Sequence, residues 1–115
     1  MTDKEHKLQV ACINWFRYKY PKLKYNLFAI PNGSARNIVV AKKLKAEGVL
    51  SGVFDVFLAF PNKEYHGLFL ELKIKPNKPT LNQIKFAEEM IKPGYQCKFI
   101  YSFDEFEETI NTWLK

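Results

Sequence analysis

The eight residues Val53-Phe54-Asp55-Val56-Phe57-Leu58-Ala59-Phe60 are apolar at every position but one. Such a run reads as a strand covered on both faces, so the chain needs helices on both sides of a sheet. Residues 68–74 then alternate, with Leu68, Leu70, Leu72 and Ile74 on one face and Phe69, Glu71 and Lys73 on the other. That period of two marks a second strand.

The remaining elements fit around these two. Leu8, Ala11, Cys12, Trp15 and Phe16 form one apolar stripe at helical spacing. Thr2-x-x-Glu5 has the pattern of a capping box at its start, and Pro21 ends the helix. Residues 27–30 read as a short strand and 31–34 as a turn. A second helix is expected from 35 to about 47, with Gly48 just past its end. After a loop at 61–64, the strand at 68–74 leads into a basic loop, Lys75-Pro76-Asn77-Lys78-Pro79. Thr80-x-x-Gln83 is a second capping-box pattern. It opens a helix with Leu81, Ile84, Ala87 and Ile91 on one face, stopped by Pro93-Gly94. Residues 96–101 form a fourth strand, and Ser102-x-x-Glu105 opens a last helix with Phe106, Ile110, Trp113 and Leu114 inward. The order α-β-α-β-β-α-β-α predicts an α/β fold, a four-stranded mixed sheet with helices on both faces. At 115 residues this is a single domain, 1–115.

Composition narrows the function classes. Ten Phe, six Tyr and two Trp supply enough apolar area to exclude disorder as the main state. No apolar run approaches the roughly 18 residues of a membrane span. The polar, mixed-charge stretch at 1–6 is unlike a signal peptide, so a soluble intracellular protein is expected. Cys12 and Cys97 each sit in an apolar stretch and read as buried small hydrophobes. With no CxxC and with His6 and His66 far apart, a structural zinc site is excluded. Eighteen Lys+Arg against twelve Asp+Glu give a net charge of +6, a balance that favours polyanionic partners, chiefly nucleic acid.

Two positions carry the chemistry. Asp55 interrupts an apolar strand, where a carboxylate is costly unless a cation or hydrogen bonds compensate it. Glu71 and Lys73 share a strand face, roughly 7 Å apart at a rise of ~3.3 Å per residue. If the two strands are neighbours, Asp55 and Glu71 converge. Two acidic oxygens plus a main-chain carbonyl, such as that of Leu72, form half of a typical Mg²⁺ shell, with water filling the rest. A lysine beside that metal could orient or deprotonate a water while the metal stabilises charge on a phosphate. The competing reading of Glu71-Leu72-Lys73 alone is a surface Glu–Lys pair on an edge strand.

Gly48-Val49-Leu50-Ser51-Gly52-Val53-Phe54-Asp55, then Gly67-Leu68-Phe69-Leu70-Glu71-Leu72-Lys73, then Gln83 and Gly94-Tyr95, together resemble the VRR-NUC domain of the PD-(D/E)XK nuclease superfamily. The short stand-alone phage and prophage members are the nearest in form, and the resemblance spans essentially the whole chain. It implies a metal-dependent phosphodiesterase, with Asp55 and Glu71 binding Mg²⁺ or Mn²⁺, Lys73 as catalytic lysine, and Gln83 positioning water or substrate. An acidic residue of the first helix often completes such sites. Glu5 is the candidate, with Gln9 one turn later as the alternative. Glu5 and Gln83 also stand where a capping box places them, so for each a purely structural role competes. The family commonly has proline where this chain has Phe54.

The resemblance further implies a DNA endonuclease with no organic cofactor and no membrane partner. It would be selective for branched DNA such as Holliday junctions, or act on duplex, as a homodimer. Its place would be the cytoplasm of a bacterial host, encoded by a phage or prophage. Asn32, Ser34, Arg36, Lys42 and Lys43, and more directly Lys75 and Lys78 on the loop leaving the site, are candidates to contact DNA phosphates. The competing function is a non-catalytic DNA-binding module that keeps the fold. Asp55, Glu71 and Lys73 argue against it, because two bare carboxylates facing a polyanion weaken binding.

Overall fold

A computed structural model of the chain describes residues 1–31 and 37–115. Helix α1 runs Asp3–Lys19, strand β1 Leu27–Ala29, α2 Ile38–Ala46, β2 Val56–Leu58, β3 Gly67–Leu72, α3 Leu81–Ile91, β4 Tyr95–Ile100 and α4 Phe103–Trp113. The strands form one mixed sheet in the order β1-β2-β3-β4. The first three pair antiparallel, and β4 lies parallel to β3, joined through α3. The expected α/β architecture and element order are present, with an additional 3₁₀ segment, Pro21–Asn26, after Pro21.

Both faces of the sheet are covered, as the apolar run at 53–60 requires. On one side Leu27, Val56, Leu58, Leu68, Leu70, Leu72 and Ile100 meet Cys12 and Phe16 of α1 and Phe106, Ile110 and Trp113 of α4 in one hydrophobic cluster. Trp113 carries a polar N–H into this layer and donates it to the Phe60 carbonyl at 2.7 Å, which removes the cost of burying it. On the other side Phe86 of α3 packs on Phe54 and Phe69, with ring centroids 5.6 and 5.1 Å away.

Several boundaries and faces differ from expectation. The regular part of β2 is only Val56–Leu58, because the chain bends at Asp55, although ladder-type bonds continue from Ile30 N–H to the Asp55 carbonyl. Helix α3 is rolled relative to its predicted face. Leu81, Ile84 and Ile91 are exposed, while Gln83, Phe86, Ala87 and Met90 turn inward. Three contacts go with that roll: the Gln83 amide reaches Glu71, Phe86 packs between Phe54 and Phe69, and Gly52 lies against the α3 backbone at Asn82. Ala11 of the α1 stripe is exposed, and Cys97 is half-buried where full burial was expected; Cys12 is fully buried. Helix α2 buries none of its residues, and its basic side chains Lys42, Lys43 and Lys45 are exposed.

Candidate active site

The antiparallel register Val56↔Leu70, carried one step further, sets Asp55 opposite Glu71. The two residues are cross-linked through main chain. Asp55 N–H donates to Glu71 Oε1 at 3.2 Å, and Leu72 N–H donates to Asp55 Oδ2 at 3.1 Å. The strand pairing thus holds both carboxylates at the end of β3. Gly52 makes this possible from upstream: its φ is +95°, and a Cβ there would lie 2.4 Å from the Asn82 carbonyl oxygen. Only glycine lets the chain enter the strand so close to the first turn of α3.

Lys73 follows on the same face, 7% exposed, with its ammonium 3.7 Å from Glu71 Oε2. Gln83 Nε2 donates to that same oxygen at 3.0 Å. Gln83 also completes the capping box of α3, its Oε1 accepting from Thr80 N–H at 3.0 Å. Capping the helix and bonding Glu71, which competed in the sequence, coexist because a primary amide has an acceptor on one side and donors on the other.

Burial, and next to it the neighbouring Asp55 charge, push the Glu71 carboxyl up to about 7, against the pull of Lys73. Asp55 is raised as well, chiefly by burial. A buried and a half-buried carboxylate facing one lysine make a site short of positive charge.

Glu5 behaves as the capping box predicts. Its Oε1 accepts from Thr2 N–H at 3.0 Å, and its N–H returns a bond to Thr2 Oγ1 at 3.1 Å. Its other oxygen accepts from Asn77 Nδ2 at 3.3 Å, which ties the loop after β3 to the start of α1. Burial raises this carboxyl, but the bonds from Thr2 and Asn77 outweigh it and bring the net value below the usual one. Asn77 stood out in the sequence only as part of a basic loop, and no local pattern announces its partner.

Glu5, Gln9, Asp55, Glu71, Lys73 and Gln83 line one open cavity of about 570 Å³, walled further by Met1, Val53 and residues 29–31. The side chains expected at the catalytic centre therefore meet in one place. Lys42, Lys43, Lys75 and Lys78 are exposed and do not line that cavity. Asn32, Ser34 and Arg36 lie outside the described residues. Phe54 is fully buried against Phe86 and Phe99, and the Asp55 bonds are made with this residue before it.

Among the described residues no group of three His, Cys, Asp or Glu side chains is gathered closely enough to cage a metal. Mg²⁺ seldom uses such a cage. It binds through one or two carboxylates and keeps several waters. The Asp55–Glu71 pair, half-buried at Asp55 and buried at Glu71, short of charge and lining a cavity, fits that donor set.

One solved structure, described as a VRR_NUC domain protein, matches with a TM-score of 0.84, covering 99% of this chain and 90% of that one at 24% identity. No protein-family model matches the chain, and no curated protein does. The chain therefore shares the fold of that VRR_NUC domain protein, a four-stranded mixed sheet with helices on both faces.

Proposed function

We propose that the chain is a VRR-NUC family nuclease, a Mg²⁺- or Mn²⁺-dependent endonuclease that hydrolyses phosphodiester bonds in DNA. The observation that carries this reading is the register-locked Asp55–Glu71 pair with Lys73 beside it, at the mouth of a cavity on this fold. Asp55 and Glu71 would hold the cation, with the Leu72 carbonyl as a further donor. When bound, the ion supplies stabilisation of charge on the scissile phosphate and a lowered proton affinity of water. The chain's own residues do the rest. Leu72 N–H and Asp55 N–H hold the two carboxylates in position. Gln83 fixes the orientation of Glu71. Lys73 offers its ammonium to the attacking water or to a non-bridging phosphate oxygen.

The finer reading is a structure-selective enzyme acting on branched DNA in the host cytoplasm as a phage or prophage product, with residues 1–115 as one domain. Exposed lysines at 42, 43, 75 and 78 would contact phosphates beyond the cavity, and Asn32, Ser34 and Arg36 would join them. A homodimer suits two-strand cutting. It is supported by the row Phe28–Phe57–Phe69 across β1, β2 and β3, with ring centroids 5.8 and 4.4 Å apart. That row is uncharged and ends in Phe28, which is 45% exposed and is the part of the row left open to a second copy.

The test is cleavage of labelled four-way junction, flap and linear duplex in Mg²⁺, Mn²⁺ or EDTA, with Glu71→Ala and Lys73→Ala as controls. Metal-dependent cutting lost in both variants, with DNA binding retained, is the expected result. Binding without cutting under every metal condition would instead establish a non-catalytic DNA-binding module.

A further inference from the structure

Helix α2 stands apart from the core, with none of its residues buried. Its two sides differ in character. At roughly 100° per residue, Ile38 and Val39 share a side with Lys42, Lys43 and Lys45, since Ile38 and Lys42, and Val39 and Lys43, are one turn apart. Val40 and Leu44 lie on the other side. The first side is the more open one. Ile38 is 73% and Val39 62% exposed, against 42% for Val40, and Leu44 is half-buried. Two branched apolar side chains therefore stand in water among three lysines. The helix holds no acidic residue, and among the described residues none of these lysines is in an ion pair.

A surface that is apolar and cationic at once fits a partner that is apolar and anionic at once. DNA is such a partner where its stacking is broken: phosphates then flank a base face that a continuous duplex keeps covered. The chain also holds α2 within range of a substrate bound at the cavity. Ala46 at its end and Val53 in the cavity wall are joined by residues 47–52, a stretch that spans at most about 25 Å. That is less than one turn of duplex, ~34 Å. A second copy docking α2 on α2 would instead set lysines against lysines.

We propose that this side of α2 selects interrupted over continuous DNA. Lys42, Lys43 and Lys45 hold phosphates, while Ile38 and Val39 rest against a base left unstacked at a junction or nick. This rests on the DNA-endonuclease reading above and adds the residues that choose its substrate.

The experiment is fluorescence anisotropy in EDTA with labelled four-way junction, nicked duplex and linear duplex, between about 50 and 200 mM salt. The variants are Ile38→Ala/Val39→Ala and Lys42→Ala/Lys43→Ala, with thermal melts to verify folding. Both are expected to fold, because α2 buries nothing and alanine favours helix. Wild type is expected to prefer the junction and the nicked duplex. Ile38→Ala/Val39→Ala is expected to lose about tenfold in affinity for these two and far less for linear duplex. Lys42→Ala/Lys43→Ala is expected to weaken all three alike and to flatten the log–log salt dependence by close to two units. Equal losses on all three DNAs in Ile38→Ala/Val39→Ala, or an unchanged preference, would overturn the inference. So would a change in that variant's oligomeric state by light scattering, which would make the face an interface between copies. A wild type that binds and cuts DNA without preferring interruptions would overturn the inference and leave the nuclease reading standing. One that binds no DNA would overturn both.

Discussion

In metal-free buffer the protein should lose stability as pH rises from about 4.5 toward about 7, the span between the ordinary glutamate value and that of folded Glu71. Below 4.5 folded and unfolded chains both hold the proton, and burial of a neutral Glu71 carries no charge penalty. Between the two values only the unfolded chain releases it, so folding must retain a proton the solvent no longer favours. Above about 7 the folded protein ionises, and the penalty stays constant. Each pH unit of separation is worth ~1.4 kcal/mol, which bounds the loss at ~3.5 kcal/mol. Water in the open cavity screens the charge and reduces this to ~1–2 kcal/mol, or roughly 4–8 °C in Tm for a chain of this size. Asp55, also raised by burial, adds in the same direction at lower pH. The assay is urea denaturation in EDTA at constant ionic strength across pH 4.5–8, comparing wild type with Glu71→Gln. The difference between the two curves isolates Glu71 from the general effect of net charge. Parallel curves, or a wild type that gains stability relative to Glu71→Gln as pH rises, would refute the buried, charge-short description of the site.

Two further outcomes follow from particular contacts. Gly48 and Gly52 both have positive φ, but a Cβ at Gly48 meets nothing within 4 Å whereas one at Gly52 lies 2.4 Å from the Asn82 carbonyl. Alanine should therefore cost ~1 kcal/mol at 48 and ~2–4 kcal/mol at 52 by chemical denaturation. Gln83→Glu keeps an acceptor for Thr80 N–H but sets a carboxylate against Glu71. Its metal-free destabilisation should be ~1–2 kcal/mol larger at pH 8 than at pH 5, read from paired denaturation curves.

Much of this molecule is written in local pattern. The capping boxes Thr2–Glu5 and Thr80–Gln83 form as spelled, because a cap needs only residues three apart. The two-faced strand at Asp55 and the alternating strand at Glu71 and Lys73 are legible for the same reason, since a strand assigns its side chains to faces by a period of two. What local pattern cannot carry is the roll of a helix on a sheet. Leu81, Ile84 and Ile91 make an apolar stripe as plausible as the one used, but the bulk of Phe86 between Phe54 and Phe69, and the Gln83–Glu71 bond, select the other face.

The sequence by itself determined which residues could do acid chemistry and that Asp55 and Glu71 would share a site if their strands paired. Only the tertiary structure decided that they do pair, one register step past Val56↔Leu70. It also decided that Gln83 caps a helix and braces Glu71 at once, and that Glu5 bonds both Thr2 in its own cap and Asn77 on the loop after β3. The physical reason is separation along the chain. Capping partners lie within one helical turn, whereas Asn77 reaches Glu5 across 72 residues and Gln83 reaches Glu71 across 12, distances that only packing closes.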